Sequence, residues 1–190
     1  MRVITGSAKG HRLKAPKGLN TRPMLDRVKE SLFGVLDARN ALHGNVLDLY
    51  AGTGSLGIEC LSRGASLAHF VERSAHVCRI IRENLEHTRL AAQATVYCMP
   101  VTHFVRSYGS VTNYDIIIMD PPYADPHIEQ TILSIEAAHM VQGQTLLVVG
   151  HSPRVSLADT YNRLNRCLWR RVGDSCFSLY EHKQGPPADP

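Results

Sequence analysis

The feature that most limits what this chain can fold into is the run Asn45-Val46-Leu47-Asp48-Leu49-Tyr50-Ala51-Gly52-Thr53-Gly54-Ser55-Leu56-Gly57. It begins apolar and β-prone, turns on glycines, and continues into Ile58, Glu59, Cys60 and Leu61 as a helix start. A buried strand, a glycine turn and a helix in that order form the first crossover of an open α/β sheet. Glycines let backbone N–H groups approach a ligand closely, and the helix N-terminus adds partial positive charge at the same place. The run therefore predicts a nucleotide-like ligand over Gly52 to Gly57.

Which ligand is a narrower question. Gly52-Thr53-Gly54-Ser55-Leu56-Gly57 spells G-x-G-x-x-G, and Glu72 follows Gly54 by 18 residues (72 − 54), where a ribose-binding acid belongs. Several kinds of adenosine-containing ligand use this fingerprint. Asp48 beside the loop would repel a pyrophosphate but suits the ammonium group of S-adenosylmethionine; a plain turn-forming role for Asp48 stays open. The loop alone leans towards a methyl donor and leaves NAD in play.

A chain of 190 residues is one ordinary domain with room for a small appendage. With 44% hydrophobic and 20% charged residues it reads as a soluble globular protein, which excludes a disordered chain. The net charge of +4 is unevenly spread: residues 1–29 hold Arg2, Lys9, Arg12, Lys14, Lys17, Arg22, Arg27 and Lys29 against one acid, Asp26. That concentration points to a polyanionic partner such as nucleic acid, with a solvated charged arm as the plainer alternative. Cys60, Cys78, Cys98, Cys167 and Cys176 are widely spaced and form no C-x-x-C, so they read as core thiols of a reducing cytosol. No run approaches the roughly 18 apolar residues of a membrane span and there is no apolar leader, so a cytoplasmic protein is expected.

In chain order, Val3-Ile4 and Arg12 to Ala15 flank Gly6-Ser7-Ala8-Lys9-Gly10 as a short hairpin with a basic tip. Asp26 starts a helix through about Ala41, with Val28, Leu32, Phe33, Val35 and Leu36 as its buried stripe. Further strands are expected over Ser66 to Val71, Ala94 to Cys98, Tyr114 to Met119 and Thr145 to Val149, with helices from Ser74 to about Arg89 and over 127–141. Arg166 to Arg171 and Ser175 to Glu181 form a closing hairpin around Val172-Gly173-Asp174. The expected fold is α/β and Rossmann-like: a seven-stranded, mostly parallel sheet ending in an antiparallel hairpin. Residues 1–25 form the basic arm, 26–183 the main domain and 184–190 a disordered tail.

The decisive chemistry lies in Asp120-Pro121-Pro122-Tyr123 at the end of the fourth strand, beside the glycine loop, where ligands bind in such sheets. A carboxylate, a carbonyl held rigid by consecutive prolines and an aromatic ring match a planar base with an exocyclic NH2. Asp120 and the Pro121 carbonyl each take one N–H, and Tyr123 stacks on the ring. Two acceptors favour the pyramidal, partly positive nitrogen of the transition state over the planar ground state.

Asp48 to Gly57 together with Asp120 to Tyr123 resembles the class I S-adenosylmethionine-dependent N-methyltransferases. Arg2 to Gly6, Lys9 to Leu13, Thr21-Arg22-Pro23 and Asp26 to Phe33 narrow the resemblance to the 16S ribosomal RNA guanine-N2 methyltransferase D family. The resemblance implies methyl transfer from S-adenosylmethionine to N2 of one guanine of 16S rRNA, at position 966 in the usual numbering. The partner is then the small ribosomal subunit or a late assembly intermediate; a monomer is the default, and methyl transfer of this kind needs no metal. Carried over by position, Asp48, Ala51, Gly52, Thr53, Gly54, Glu72, Arg73, Val101 and Asp120 line the donor. Asp120, Pro121, Pro122 and Tyr123 hold the base, while Arg2, Lys9, Arg12, Lys14, Lys17, Arg22 and Arg27 grip RNA phosphates from a mobile hairpin. Two departures from the family pattern stand out: Met99-Pro100-Val101 where a polar side chain usually meets adenine, and Met24-Leu25 where threonines are usual. Rival readings are a DNA adenine-N6 methyltransferase, an NAD-dependent dehydrogenase and a non-catalytic ribosome-assembly factor.

Overall fold

The computed structural model describes residues 1–16, 26–109, 111–122 and 125–183. Its helices are α1 (Asp26–Ala38), α2 (Ser55–Ser62), α3 (Ala75–His87), α4 (Val101–Tyr108) and α5 (Ile128–Ala137). The strands are β1 (Asn45–Leu49), β2 (Leu67–Glu72), β3 (Ala94–Cys98), β4 (Ile116–Met119), β5 (Leu146–His151), β6 (Leu164–Val172) and β7 (Ser175–His182). All seven strands share one sheet in the order β3-β2-β1-β4-β5-β7-β6. The first five pair in parallel, and β7 runs antiparallel between β5 and β6. The expected mostly parallel sheet with its closing hairpin is the observed one.

Two-residue periodicity divides the core between the faces of the sheet. Val46, Ile116, Ile118, Leu146 and Val148 pack with side chains of α1, α2 and α3. Leu47, Leu49, Ile117, Met119, Leu147 and Val149 pack with α4 and α5 on the other face. The run of three isoleucines in β4 thus serves both layers, which is why it shows no alternation.

Three helices stop earlier than their apolar periodicity suggests, and for one reason. Asn40, Arg89 and His139 adopt left-handed backbone at φ 53, 60 and 55. The next amide in each case turns back into the helix: Ala41 N–H to Leu36 O, Leu90 N–H to Leu85 O and Met140 N–H to Ile135 O, at 2.9–3.2 Å. These are helix-ending turns of the kind glycine usually makes. At α2 glycine does make it, with Gly64 at φ +116 and Ala65 N–H bound to Cys60 O. Helix α4, which the pattern reading leaves unassigned, is short and buries only Val101, Phe104 and Val105.

Residues 1–16 form the expected hairpin, closed by the Arg2–Arg12 bridge and by Val3 N–H to His11 O at 3.0 Å. It does not stand off as a mobile arm. Val3, Ala8 and Leu13 are buried in the α1–α3 core layer. Ser7 N–H donates to Ser62 O and Ala8 N–H to Ser62 Oγ. Gly6 is required there twice over: its φ is +88, and a Cβ would sit 1.7 Å from Ser62 O.

Two further expectations need correction. Lys29, counted with the basic arm, is fully buried in an ion pair with Glu59. Among the cysteines, Cys60, Cys78 and Cys176 are core thiols, but Cys98 and Cys167 are exposed because they sit on the two edge strands. Lys17, Arg22, Met24, Leu25, Tyr123 and the tail 184–190 lie outside the described residues. Among the described residues no helix is long and apolar enough to cross a membrane.

Candidate active site

The register of the sheet brings the two sequence motifs together. Leu49 pairs with Met119, so the glycine loop and Asp120-Pro121-Pro122 leave adjacent strands side by side at the C-terminal edge. Tyr50 begins the loop in left-handed backbone at φ 58, a strained conformation for a tyrosine. Its hydroxyl reaches Thr131 of α5 at 3.1 Å. Ala51 N–H then donates to Val71 O and Gly54 N–H to Ala51 O, closing the turn.

The three glycines have different tasks. Gly52, at φ +54, faces open space, since a Cβ there would meet nothing closer than 3.9 Å. That is the side from which a ligand can approach the backbone. Gly54, at φ +77, caps α2. A Cβ on Gly57 would sit 2.4 Å from the Phe70 ring, so the third glycine allows α2 to lie against β2.

Three carboxylates surround this loop. Asp48, in β1, is buried and accepts the Gly57 N–H at 2.9 Å, fastening the start of α2 to the strand. Burial pushes its pKa up to about 8, with the nearby charges of Asp120 and Glu72 acting in the same direction. Glu72, at the end of β2, accepts from Gly52 N–H at 3.2 Å and Ser74 N–H at 2.9 Å. Asp120 follows β4, and burial raises its pKa to about 6. A side chain at Gly150 of β5 would place its Cβ 2.3 Å from Asp120 Oδ1, so this glycine makes room for the carboxylate.

The remaining predicted positions scatter as follows. Arg73 is exposed beyond Glu72. Val101 is buried in the first turn of α4, where an amide has no partner within its own helix, so its N–H is available to an adenine-like ring. Arg2, Lys9, Arg12, Lys14 and Arg27 are all exposed, and Lys14 pairs with Glu83 at 2.9 Å. Among the described residues no cluster of potential metal ligands forms.

Sequence reasoning missed Tyr50, Gly150, Asn84, Lys29 and Glu59. Only Tyr50 carried a local signal, standing immediately after the strand. The others matter through contacts across the fold. Glu59 Oε2 accepts from Lys29 Nζ and Ile4 N–H, and Oε1 from Thr5 N–H and Arg63 Nε, all within 2.8–2.9 Å. With those partners, and Lys29 foremost, Glu59 stays below the usual carboxylate range despite its burial.

The similarity to known proteins extends across nearly the whole chain. The family model described as Conserved hypothetical protein 95 matches residues 1–181. The ribosomal RNA small subunit methyltransferase D of Escherichia coli is 34% identical over 189 residues, covering 100% of this chain and 93% of its own. A Bacillus subtilis protein, YlbH, described as a candidate rRNA methyltransferase, is 36% identical over 184 residues, 96% of this chain and 100% of its own. The solved structure of Escherichia coli yhhF, described as a candidate methyltransferase, superposes with a TM-score of 0.84 at 31% identity and covers 96% of this chain and 98% of that one. The chain therefore belongs to the family described as Conserved hypothetical protein 95, that of the ribosomal RNA small subunit methyltransferases D.

Proposed function

We propose that this protein transfers a methyl group from S-adenosylmethionine to the exocyclic N2 of one guanine of 16S rRNA, within the small ribosomal subunit. The observation that carries the reading is the juxtaposition of the open Gly52 loop with Asp120-Pro121-Pro122 on adjacent strands. The family membership and the names of the relatives support it.

The donor set fits S-adenosylmethionine. Glu72 and Asp120 give the site carboxylates that suit a ligand with sulfonium and ammonium charges and oppose a pyrophosphate, while Asp48, whose pKa burial pushes up to about 8, gains its charge when a cationic group lies beside it. Glu72 stands where a ribose diol would meet a strand-end acid. When bound, the donor would supply an electrophilic methyl group and leave as S-adenosylhomocysteine, while the methylated nitrogen gives up one proton. Ionised Asp120 accepts one N–H of the guanine amine and the rigid Pro121 carbonyl accepts the other, so the nitrogen lone pair is turned out of conjugation. Positive charge developing on that nitrogen then lies against a half-buried carboxylate already in position, which is where such stabilisation acts. Tyr123 stacks on the flipped base, and the exposed arginines and lysines of the hairpin hold phosphates and offset the cost of unstacking.

The deciding experiment is methyl transfer from labelled S-adenosylmethionine to small subunits purified from cells lacking this enzyme, followed by nucleoside analysis. N2-methylguanosine at a single site is the expected product. Label appearing instead as N6-methyladenosine in a DNA control would replace this reading with the adenine one.

A further inference from the structure

Two buried polar side chains join the basic hairpin to the glycine loop, one on each side of Gly54. Asn84, on α3 and almost fully buried, receives the Lys14 N–H at Oδ1 (2.8 Å). Its Nδ2 donates to Lys14 O at 3.1 Å and to Thr53 O at 3.0 Å. Lys29, on α1, donates from Nζ to Arg2 O at 3.1 Å and to Ser55 Oγ at 3.3 Å, while Glu59 neutralises its charge at 2.9 Å. Thr53 and Ser55 flank Gly54, and Arg2 and Lys14 lie on opposite legs of the hairpin. Each side of the loop is thus bonded through one interior residue to one leg.

None of these bonds involves a residue of the seven strands. Helices α1 and α3 are anchored by their own apolar stripes. A buried amide making three bonds and a buried ammonium making three contacts are tolerated in a core because those bonds are met, and each bond fixes the group at its other end. What they hold is the carbonyl of Thr53 and the hydroxyl of Ser55 in the turn whose left-handed glycines present the backbone to the ligand.

We infer that Asn84 and Lys29 are positioning residues that make the hairpin and the donor loop one mechanical unit, so that RNA held by the hairpin and donor held by the loop strengthen each other's binding. This rests on the reading in which the loop binds S-adenosylmethionine. Coupling of this kind is reciprocal. An RNA that steadies Arg2 and Lys14 steadies Thr53 and Ser55, and a bound donor steadies the hairpin in return. The exposed Lys14–Glu83 pair gives the RNA a direct hold, because a phosphate can replace Glu83 without touching the Lys14 backbone.

The test compares the wild type with Asn84→Asp and Lys14→Ala, using S-adenosylhomocysteine titrated with and without unmethylated small ribosomal subunits. Asn84→Asp keeps the acceptor for Lys14 N–H and turns the other end from a donor into an oxygen facing two carbonyls. It should weaken S-adenosylhomocysteine binding on the order of tenfold and abolish the gain in affinity that subunits give the wild type. Lys14→Ala keeps both backbone bonds to Asn84, so it should weaken subunit binding while leaving donor affinity alone. Hydrogen exchange on the wild type gives a readout that does not depend on any variant folding. S-adenosylhomocysteine should slow exchange at Val3, Gly10 and Lys14 as well as in residues 51–57. Protection confined to the loop, or an Asn84→Asp protein that binds donor and couples to subunits like the wild type, overturns the inference alone. A wild type that does not bind S-adenosylhomocysteine overturns the proposed function, and the inference with it.

Discussion

In the proposed mechanism Asp120 has to be ionised, yet it sits where burial resists ionisation. Its pKa, raised from the ordinary 3.8 to about 6, places the change of state inside the range where activity can be followed. The sign follows directly. Below pH 6 the carboxyl is mainly neutral and cannot stabilise positive charge on the amine, so the single-turnover methylation rate should rise with pH through about 6 and level off above it. Well below that point the slope should approach about tenfold per pH unit. Asp120→Asn should remove this limb and lower the plateau by about 100-fold or more. A pH profile unchanged by Asp120→Asn would show that another group titrates. Gly150 belongs to the same argument, since the space it leaves is the space Asp120 fills. No pattern around Gly150 in the sequence could reveal this, because its partner is 30 residues away (150 − 120), just past the end of the neighbouring strand.

At the scale of elements, the sequence located the strands and helices well because burial on one or two faces writes a period of 2 or 3.6 into the residues. It missed where helices end. Asn40, Arg89 and His139 turn left-handed although none is a glycine, and a side chain in that conformation costs roughly 1–2 kcal/mol. The turns persist because Ala41, Leu90 and Met140 gain backbone bonds and, at Leu90 and Met140, full burial. Arg89 is exposed, so replacing it tests the strain without disturbing the core. Arg89→Gly should raise stability to urea by about 0.5–1 kcal/mol, the relief of strain being partly offset by the greater freedom of glycine in the unfolded chain. A loss of stability would mean that the Arg89 side chain supports the turn.

At the scale of the molecule, the proposed contact with RNA rests on charge. Arg2, Lys9, Arg12, Lys14 and Arg27 are exposed on a hairpin and helix start that are packed onto the domain, so the fold holds these cations in place at the surface. Subunit binding should therefore weaken steeply with salt, and removing one contacting cation, as in Arg12→Ala, should reduce the slope of log affinity against log salt by roughly 0.7–0.9. Measuring binding across a salt series checks this; an unchanged slope removes Arg12 from the contact.

The sequence by itself determined the sheet, the glycine loop and the Asp120 element. Each is encoded in residues adjacent in the chain, through apolar periodicity, glycine spacing and the stiffness of consecutive prolines. Only the tertiary structure decided which polar residues are interior. Nothing local in the sequence marks Lys29 in a basic stretch, Glu59 in a helix start or Asn84 in an amphipathic helix as interior. Their burial follows from partners between 26 and 70 residues away: Ser55 for Lys29, Lys29 and Ile4 for Glu59, and Lys14 and Thr53 for Asn84. A charge or an amide is stable in a core only when its hydrogen bonds are met there, and those bonds exist only after the chain has folded.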